Sequence, residues 1–191
     1  QTYSPLEIII SDDHSTDGTF DIINSIVKEY KGPHNIILNQ NTKNMGVINH
    51  INLIFQKFLR SDLLILNAGD DISYPERTTQ IKSYFDRNAN IFAVCSNAKV
   101  IDSDGNFTGS NFKDDATFDV EPRGFLDVWN KGTQVFGAAT AYRKDVFFKF
   151  GPLKTTIRNE DFILPSRASL IGKVGYIDQP LIGYRKHDTN L

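Results

Sequence analysis

Apolar residues follow two alternating rhythms through the first hundred positions. Runs rich in Ile and Leu at 6–10, 35–39 and 63–68, and a longer run at 91–101, read as strands buried on both faces. Between them the apolar positions recur at helical spacing. Phe20, Ile23, Val27 and Tyr30 mark one helical face, closed by Gly32-Pro33. Ile48, Ile51, Phe55, Phe58 and Leu59 mark a second helix, entered at Gly46 and stopped at Ser61-Asp62. Pro75 opens a third in its first turn, running to about Arg87. This strand–helix alternation predicts an α/β fold with a mainly parallel sheet covered on both faces.

The rhythm changes after position 101. Residues 102–106 predict a hairpin turn. The polar stretch 109–124 reads as a loop able to order over a ligand. Residues 134–142 read as a strand containing Gly137-Ala138-Ala139, small residues that admit close approach or pack the strand tightly. A short helix over 143–150 closes at Gly151-Pro152. A helix from about 159 to 170 stops at Gly172, and Pro165 is expected to kink it or shift its start. Two short strands, 174–177 and 181–184, complete the chain. Trp129, Phe147, Phe148 and Phe150 are expected in the core. There is no repeat, low-complexity tract or linker, so residues 1–191 read as one domain.

Composition narrows the function classes. A chain of 191 residues with 40% hydrophobic content can bury a core. The net charge of −2 shows no basic excess, which argues against a nucleic-acid partner. Cys95 lies in an apolar run and reads as a small buried hydrophobe. A single cysteine allows no disulfide within the chain, which fits a reducing compartment. No apolar run reaches the length of a membrane span.

The chemistry sits at strand ends. Asp12 and Asp13 follow the first strand, and Asp70 and Asp71 follow the third. Open α/β sheets bind ligands beyond the carboxyl ends of their strands, so the two pairs are expected to converge on one crevice. Carboxylates gathered there stay ionised only if something positive joins them. A divalent cation bridging a diphosphate is the natural candidate and points to a nucleotide substrate. Turn formation is the competing role for Asp12 and Asp13, and helix capping for Ser15, Thr16 and Asp17. Glu160 and Asp161 stand at a helix N-terminus. They serve either the helix dipole or a general base, with a pKa expected to be depressed there.

Four stretches carry a resemblance: the strand and turn Glu7-Ile8-Ile9-Ile10-Ser11-Asp12-Asp13-His14-Ser15-Thr16-Asp17-Gly18-Thr19, the segment Leu66-Asn67-Ala68-Gly69-Asp70-Asp71-Ile72-Ser73-Tyr74-Pro75-Glu76-Arg77, the late Asn159-Glu160-Asp161-Phe162, and the ending Tyr184-Arg185-Lys186-His187-Asp188-Thr189-Asn190. In this order they resemble the family 2 glycosyltransferases of GT-A fold, a Rossmann-like nucleotide-diphospho-sugar transferase architecture. The resemblance covers nearly the whole chain. It implies a catalytic domain lacking the family's first strand and helix, which would precede Gln1. This piece is then expected to bind donor weakly or to pair at an open sheet edge.

The resemblance further implies inverting, metal-dependent hexosyl or N-acetylhexosaminyl transfer from a nucleotide-sugar, a UDP-sugar first, to a glycan or lipid-linked acceptor in polysaccharide biosynthesis. Asp13, with Asp12, would contact the uracil base, whose N3–H needs an acceptor. Asn44 and Gly46 would face the nucleotide from the turn before the second helix. Asp71 would bind Mn²⁺ or Mg²⁺, with Asp70 assisting or contacting the ribose, and His187 would be a further ligand. Arg185 would bind the diphosphate. Asp161, or Glu160 beside it, would be the general base. The location implied is cytoplasmic, with peripheral association at the inner membrane face.

Two departures stand out. Ala68 replaces the first aspartate of the usual DXD, and Ile51 replaces an arginine of the second helix. They leave open a catalytically inactive nucleotide- or glycan-binding module of the same fold. A signalling receiver domain would share the first acidic strand end, but would need a later lysine for which Lys99 is a poor fit, and it would be shorter. His14, His34 and His50 read as turn or helix-surface residues.

Overall fold

A computed structural model describes residues 1–112, 121–132, 135–156 and 160–186. Its contacts divide the chain into two units, Tyr3–Arg60 with Pro152–Arg158, and Gln1–Thr2 with Ser61–Gly151 and Asn159–Leu191.

The first unit is built on a parallel strand pair. Strand β1 (Glu7–Asp12) aligns with β2 (Asn35–Gln40), Ile8 opposite Ile36 and Ile10 opposite Leu38. Helix α1 (Thr19–Glu29) makes the crossover, and Phe20, Ile23 and Val27 are its part-buried face. Ile22 and Ile26, off that face, are exposed. Helix α2 (Val47–Phe58) buries Ile48 and Phe55, and Leu59 is buried just beyond it, as the apolar spacing predicts. Asn52 on α2 pins the returning segment, donating to the Leu153 carbonyl and accepting from its N–H, both at 2.8 Å.

The other unit holds a six-stranded sheet. Strand β3 spans Leu63–Ile65, β4 Ile72–Ser73, β5 Ile91–Ile101, β6 Phe107–Asn111, β7 Thr140–Arg143 and β8 Lys173–Arg185. The order is β3-β7-β5-β8-β4, with β6 also on β5. The sheet is mixed rather than mainly parallel. β8 runs parallel to β5, whereas β7 is antiparallel to both β3 and β5, and β4 is antiparallel to β8. Helix α3 (Arg77–Arg87) is the crossover that leaves β3 and β5 co-directional, as strand–helix alternation demands. The sheet becomes mixed because β7, from later in the chain, slots between them. Apolar runs identify strands but do not encode their direction.

Other elements differ from expectation in their bounds. The 134–142 strand resolves into a 3-10 turn at Gly137–Ala139 followed by β7, and Gln134 lies outside the described residues. The two final short strands are one strand, β8, whose register against β5 shifts between Ser96 and Ala98. Short helices α4 (Phe125–Lys131) and α5 (Asp145–Phe148) flank the 3-10 turn and β7 in sequence. Helix α6 (Glu160–Ile171) carries Pro165 inside it, the position expected to kink the helix or shift its start. Trp129 is 76% exposed, Phe148 59% and Phe150 37%, so none of these is core, while Phe147 is buried. Trp129 shares the outer face of α4 with Phe125, and only Val128 turns inward.

Strand β5 is the centre, buried from Ala93 to Ala98. Ile81, Phe85, Ile91, Val94, Ala141 and Leu181 form one cluster, and Cys95, Ala98, Ala139, Tyr176 and Ile182 form a second. Each fully buried Ile or Phe contributes about 2 kcal/mol by leaving water.

Candidate active site

In the first unit the chain turns sharply after β1. Asp12 is buried and accepts from the Ser15 N–H at 3.1 Å and from Gln40 Nε2 at 3.2 Å. Burial opposes its charge, yet the Ser15 hydroxyl and N–H and the Gln40 amide hold its pKa below the usual carboxylate range. His14 takes a left-handed φ of 70° within this turn, with its Nδ1 3.2 Å from the Asn41 carbonyl.

Asp13 anchors the loop between β2 and α2. It accepts from Asn41 Nδ2 at 2.7 Å, from the Met45 N–H at 2.9 Å and from the Gly46 N–H at 2.9 Å. Burial raises its pKa, but the Asn41 amide, the two loop N–H groups and the nearby His50 outweigh it and hold the carboxyl low. Asn44 Oδ1 accepts from the same Gly46 N–H at 3.0 Å, and Gly46 sits at φ 75°, where a side chain would be strained.

His50 is not a plain surface residue. Its Nδ1 lies 3.3 Å from Asp13 Oδ1 and its Nε2 2.7 Å from Ser11 Oγ. Asn39 Nδ2 in turn donates to Ser11 Oγ at 2.9 Å. Asp12, Asp13, Asn44 and Gly46 therefore belong to one polar turn system. The sequence offers no local signature for Asn41, and His50, expected at a turn or helix surface, is instead drawn into this network.

In the other unit, Asp71 lies in the loop between β3 and β4. Its Oδ1 accepts the Arg185 N–H at 2.8 Å, and its Oδ2 is buried with no hydrogen-bond partner. Burial raises its pKa and repulsion from Asp70 adds to this, against the Arg185 N–H and the Arg77 and Arg185 charges. Asp70 is exposed, and its carbonyl accepts Arg185 Nε at 2.8 Å. The Arg185 guanidinium also donates to the Asp102 carbonyl at 2.9 Å and to that of Ser103. Arg185 is thus found bracing the Asp70–Asp71 loop against the β5–β6 turn. His187 lies outside the described residues.

Glu160 and Asp161 open α6, both part-buried. Burial raises both pKa values, only partly offset by the Gly137 N–H that bonds Asp161. The depression expected from the helix N-terminus is overridden, because loss of water penalises the charged form more than the dipole favours it. Gly137 has no room for a Cβ, since the Asp161 carboxylate occupies that space.

Arg77 was passed over as well. It is 1% exposed and donates to Asn67 Oδ1 at 2.8 Å and to the Leu66 and Ala138 carbonyls at 2.7 and 2.8 Å. The available signal was a cation in the first turn of a helix, where the dipole disfavours it.

The donor set fits a hard divalent cation. A buried carboxylate oxygen without a partner is costly unless a positive charge meets it. Among the described residues, no three His, Cys, Asp or Glu side chains gather into a metal-binding group. Mg²⁺-type sites commonly use one or two carboxylates and complete the shell with substrate phosphates and water.

The fold matches known glycosyltransferases. Staphylococcus aureus TarS 1-349 superposes with a TM-score of 0.70 at 15% identity, covering 94% of this chain and 51% of that one. The mannosyltransferase PcManGT from Pyrobaculum calidifontis, in complex with GDP-Man and Mn²⁺, gives 0.62 at 15% identity over 91% of this chain and 45% of its own. GalNAc-T7 with UDP, GalNAc and Mn²⁺ gives 0.66 at 14% identity over 95% and 38%. These likenesses establish the GT-A fold. An uncharacterized glycosyltransferase of Haemophilus influenzae is 29% identical over 98% of this chain and 58% of its own length. The chain thus spans little more than half of that relative. Residues 1–151 match the family model for glycosyl transferase family 2, and the chain belongs to that family.

Proposed function

We propose that this chain carries the catalytic chemistry of an inverting, metal-dependent transferase. It moves a sugar from a nucleoside-diphosphate donor, a UDP-sugar first, to a hydroxyl of a glycan or lipid-linked acceptor. One observation carries the reading: Asp71 keeps a buried carboxylate oxygen without a partner while its other oxygen is fixed by the Arg185 N–H. That oxygen is the ligand offered to Mn²⁺ or Mg²⁺, with Asp70 beside it. When bound, the metal supplies charge neutralisation of the departing diphosphate.

Asp161 takes the proton from the acceptor hydroxyl. Its raised pKa makes it the stronger base once ionised, and the Gly137 N–H keeps one face of it fixed. Glu160 sits beside it and shares its buried setting. In the other unit, the reading assigns nucleoside recognition to the turn of Asp12 and Asp13 and to the loop carrying Asn44 and Gly46. Mn²⁺ and a nucleotide accompany two of the structural neighbours, which supports this donor class. Membrane-face location follows only if the acceptor is lipid-linked, and no described helix is long and apolar enough to cross a membrane.

Calorimetric titration with UDP and with GDP, each with and without Mn²⁺, tests the reading. UDP binding that requires Mn²⁺ and falls at least tenfold in Asp71→Asn supports it. Equal binding by the two proteins, or binding indifferent to Mn²⁺, overturns it. Mn²⁺-dependent binding without turnover of any donor leaves the inactive module as the answer.

A further inference from the structure

We propose that Arg77 is a positioning residue that holds the Asp70–Asp71 loop and the Gly137–Ala139 turn in a fixed mutual register. The inference rests on the functional reading above only for its kinetic consequence.

Arg77 is a fully buried guanidinium reaching two segments far apart in sequence. One arm, Nη1, donates to Asn67 Oδ1, and Nη2 donates to the Leu66 carbonyl, both just after β3 and before the Asp70–Asp71 loop. The same guanidinium grips the Ala138 carbonyl inside the 3-10 turn. Gly137, the preceding residue, gives its N–H to Asp161. A single planar side chain therefore lies between the loop that offers Asp71 and the turn that seats Asp161. After the Cys95 thiol, the Asp71 carboxylate also favours the charged form of Arg77.

Stability alone gives a poor account of this choice. Burying a charge costs several kcal/mol, and well-packed apolar residues often replace buried ion pairs without loss. What an apolar residue cannot do is hold two carbonyls and an amide oxygen in one plane. Lysine cannot do it either, being a point charge on a flexible stem. A rigid fork suits the task of keeping two segments at one spacing.

The test compares wild type, Arg77→Lys and Asn67→Ala by hydrogen exchange and by steady-state kinetics with Mn²⁺ and the donor. In folded Arg77→Lys, exchange at 66–71 and at 136–140 accelerates together, by tenfold or more, while β5 and β8 keep their protection. Turnover, kcat, falls about 100-fold, the usual cost of a misplacement near 1 Å. Donor KM stays within about threefold, because the Arg185 N–H still fixes Asp71. Unchanged exchange at 136–140, or unchanged kcat in a folded variant, overturns the proposal.

If Arg77→Lys fails to fold, Asn67→Ala decides. Cutting that one arm loosens both segments if they are coupled, and loosens 66–71 alone if they are not. Absence of turnover in wild type would count against the functional reading, and the exchange data would still judge Arg77.

Discussion

At the scale of single residues, the candidate chemistry depends on carboxylates in unlike surroundings. Asp161 is pushed toward its neutral form by burial, and Asp13 is held in its charged form by four donors and neighbours. The signs differ accordingly. Stability tied to Asp161 is fully present below the ordinary aspartate range and is lost as pH rises through its raised value. Asp161→Asn removes that cost, so it is expected to raise Tm at neutral pH while abolishing transfer, a pair of changes read by calorimetry and a donor-consumption assay. Gly137→Ala makes a sharper demand. The added methyl would take the space of the Asp161 carboxylate, so kcat is expected to fall at least tenfold with donor binding retained. Asp71 and Asp161 stood out in the sequence because each belongs to an acidic pair, one after a strand-forming run and one at a helix start. Arg77, Asn41 and His50 were not legible, since a lone polar residue declares its partners only once the chain is folded.

Elements were easier to read than their directions. The two amphipathic helices α1 and α2 matched their apolar faces because helical periodicity is a local property. The sheet order was not local: β7 and β8 enter from late in the chain and pair with β5 on either side. Helix α4 was missed outright. Its apolar residues face outward, so its sequence offered no inward stripe, and its Trp129 was assigned to a core it does not reach. The loop after β2 shows the opposite case, polar residues doing the work of a core. Asp13 fastens Asn41, Met45 and Gly46 at once, and bonds of this charge-assisted kind contribute about 1.5–3 kcal/mol each. Its pKa is depressed, so its contribution is fully present above the ordinary aspartate range and lost as pH falls through the lower folded value. Asp13→Asn is therefore expected to lower the urea midpoint at pH 7 and to flatten its decline on acidification, as followed by circular dichroism.

Across the whole molecule, β5 is the strand around which the six-stranded sheet is arranged, and it contains the chain's one cysteine. Cys95 is 1% exposed, and burial pushes its thiol pKa up to about 11. It is therefore inert in the native state, and labelling by a thiol reagent at pH 8 is expected to proceed no faster than global opening of that sheet. A labelling rate that rises with urea along the slope of global unfolding would agree; fast, urea-independent labelling in water would not. The sheet order has one more effect. β8 lies between β5 and β4, yet it is the last of the described strands to leave the ribosome. Until it emerges, β4 has no partner and one side of β5 stays bare. The nascent chain must therefore carry an unfinished sheet until β8 has emerged, and shielding by a chaperone matters most over that stretch of synthesis.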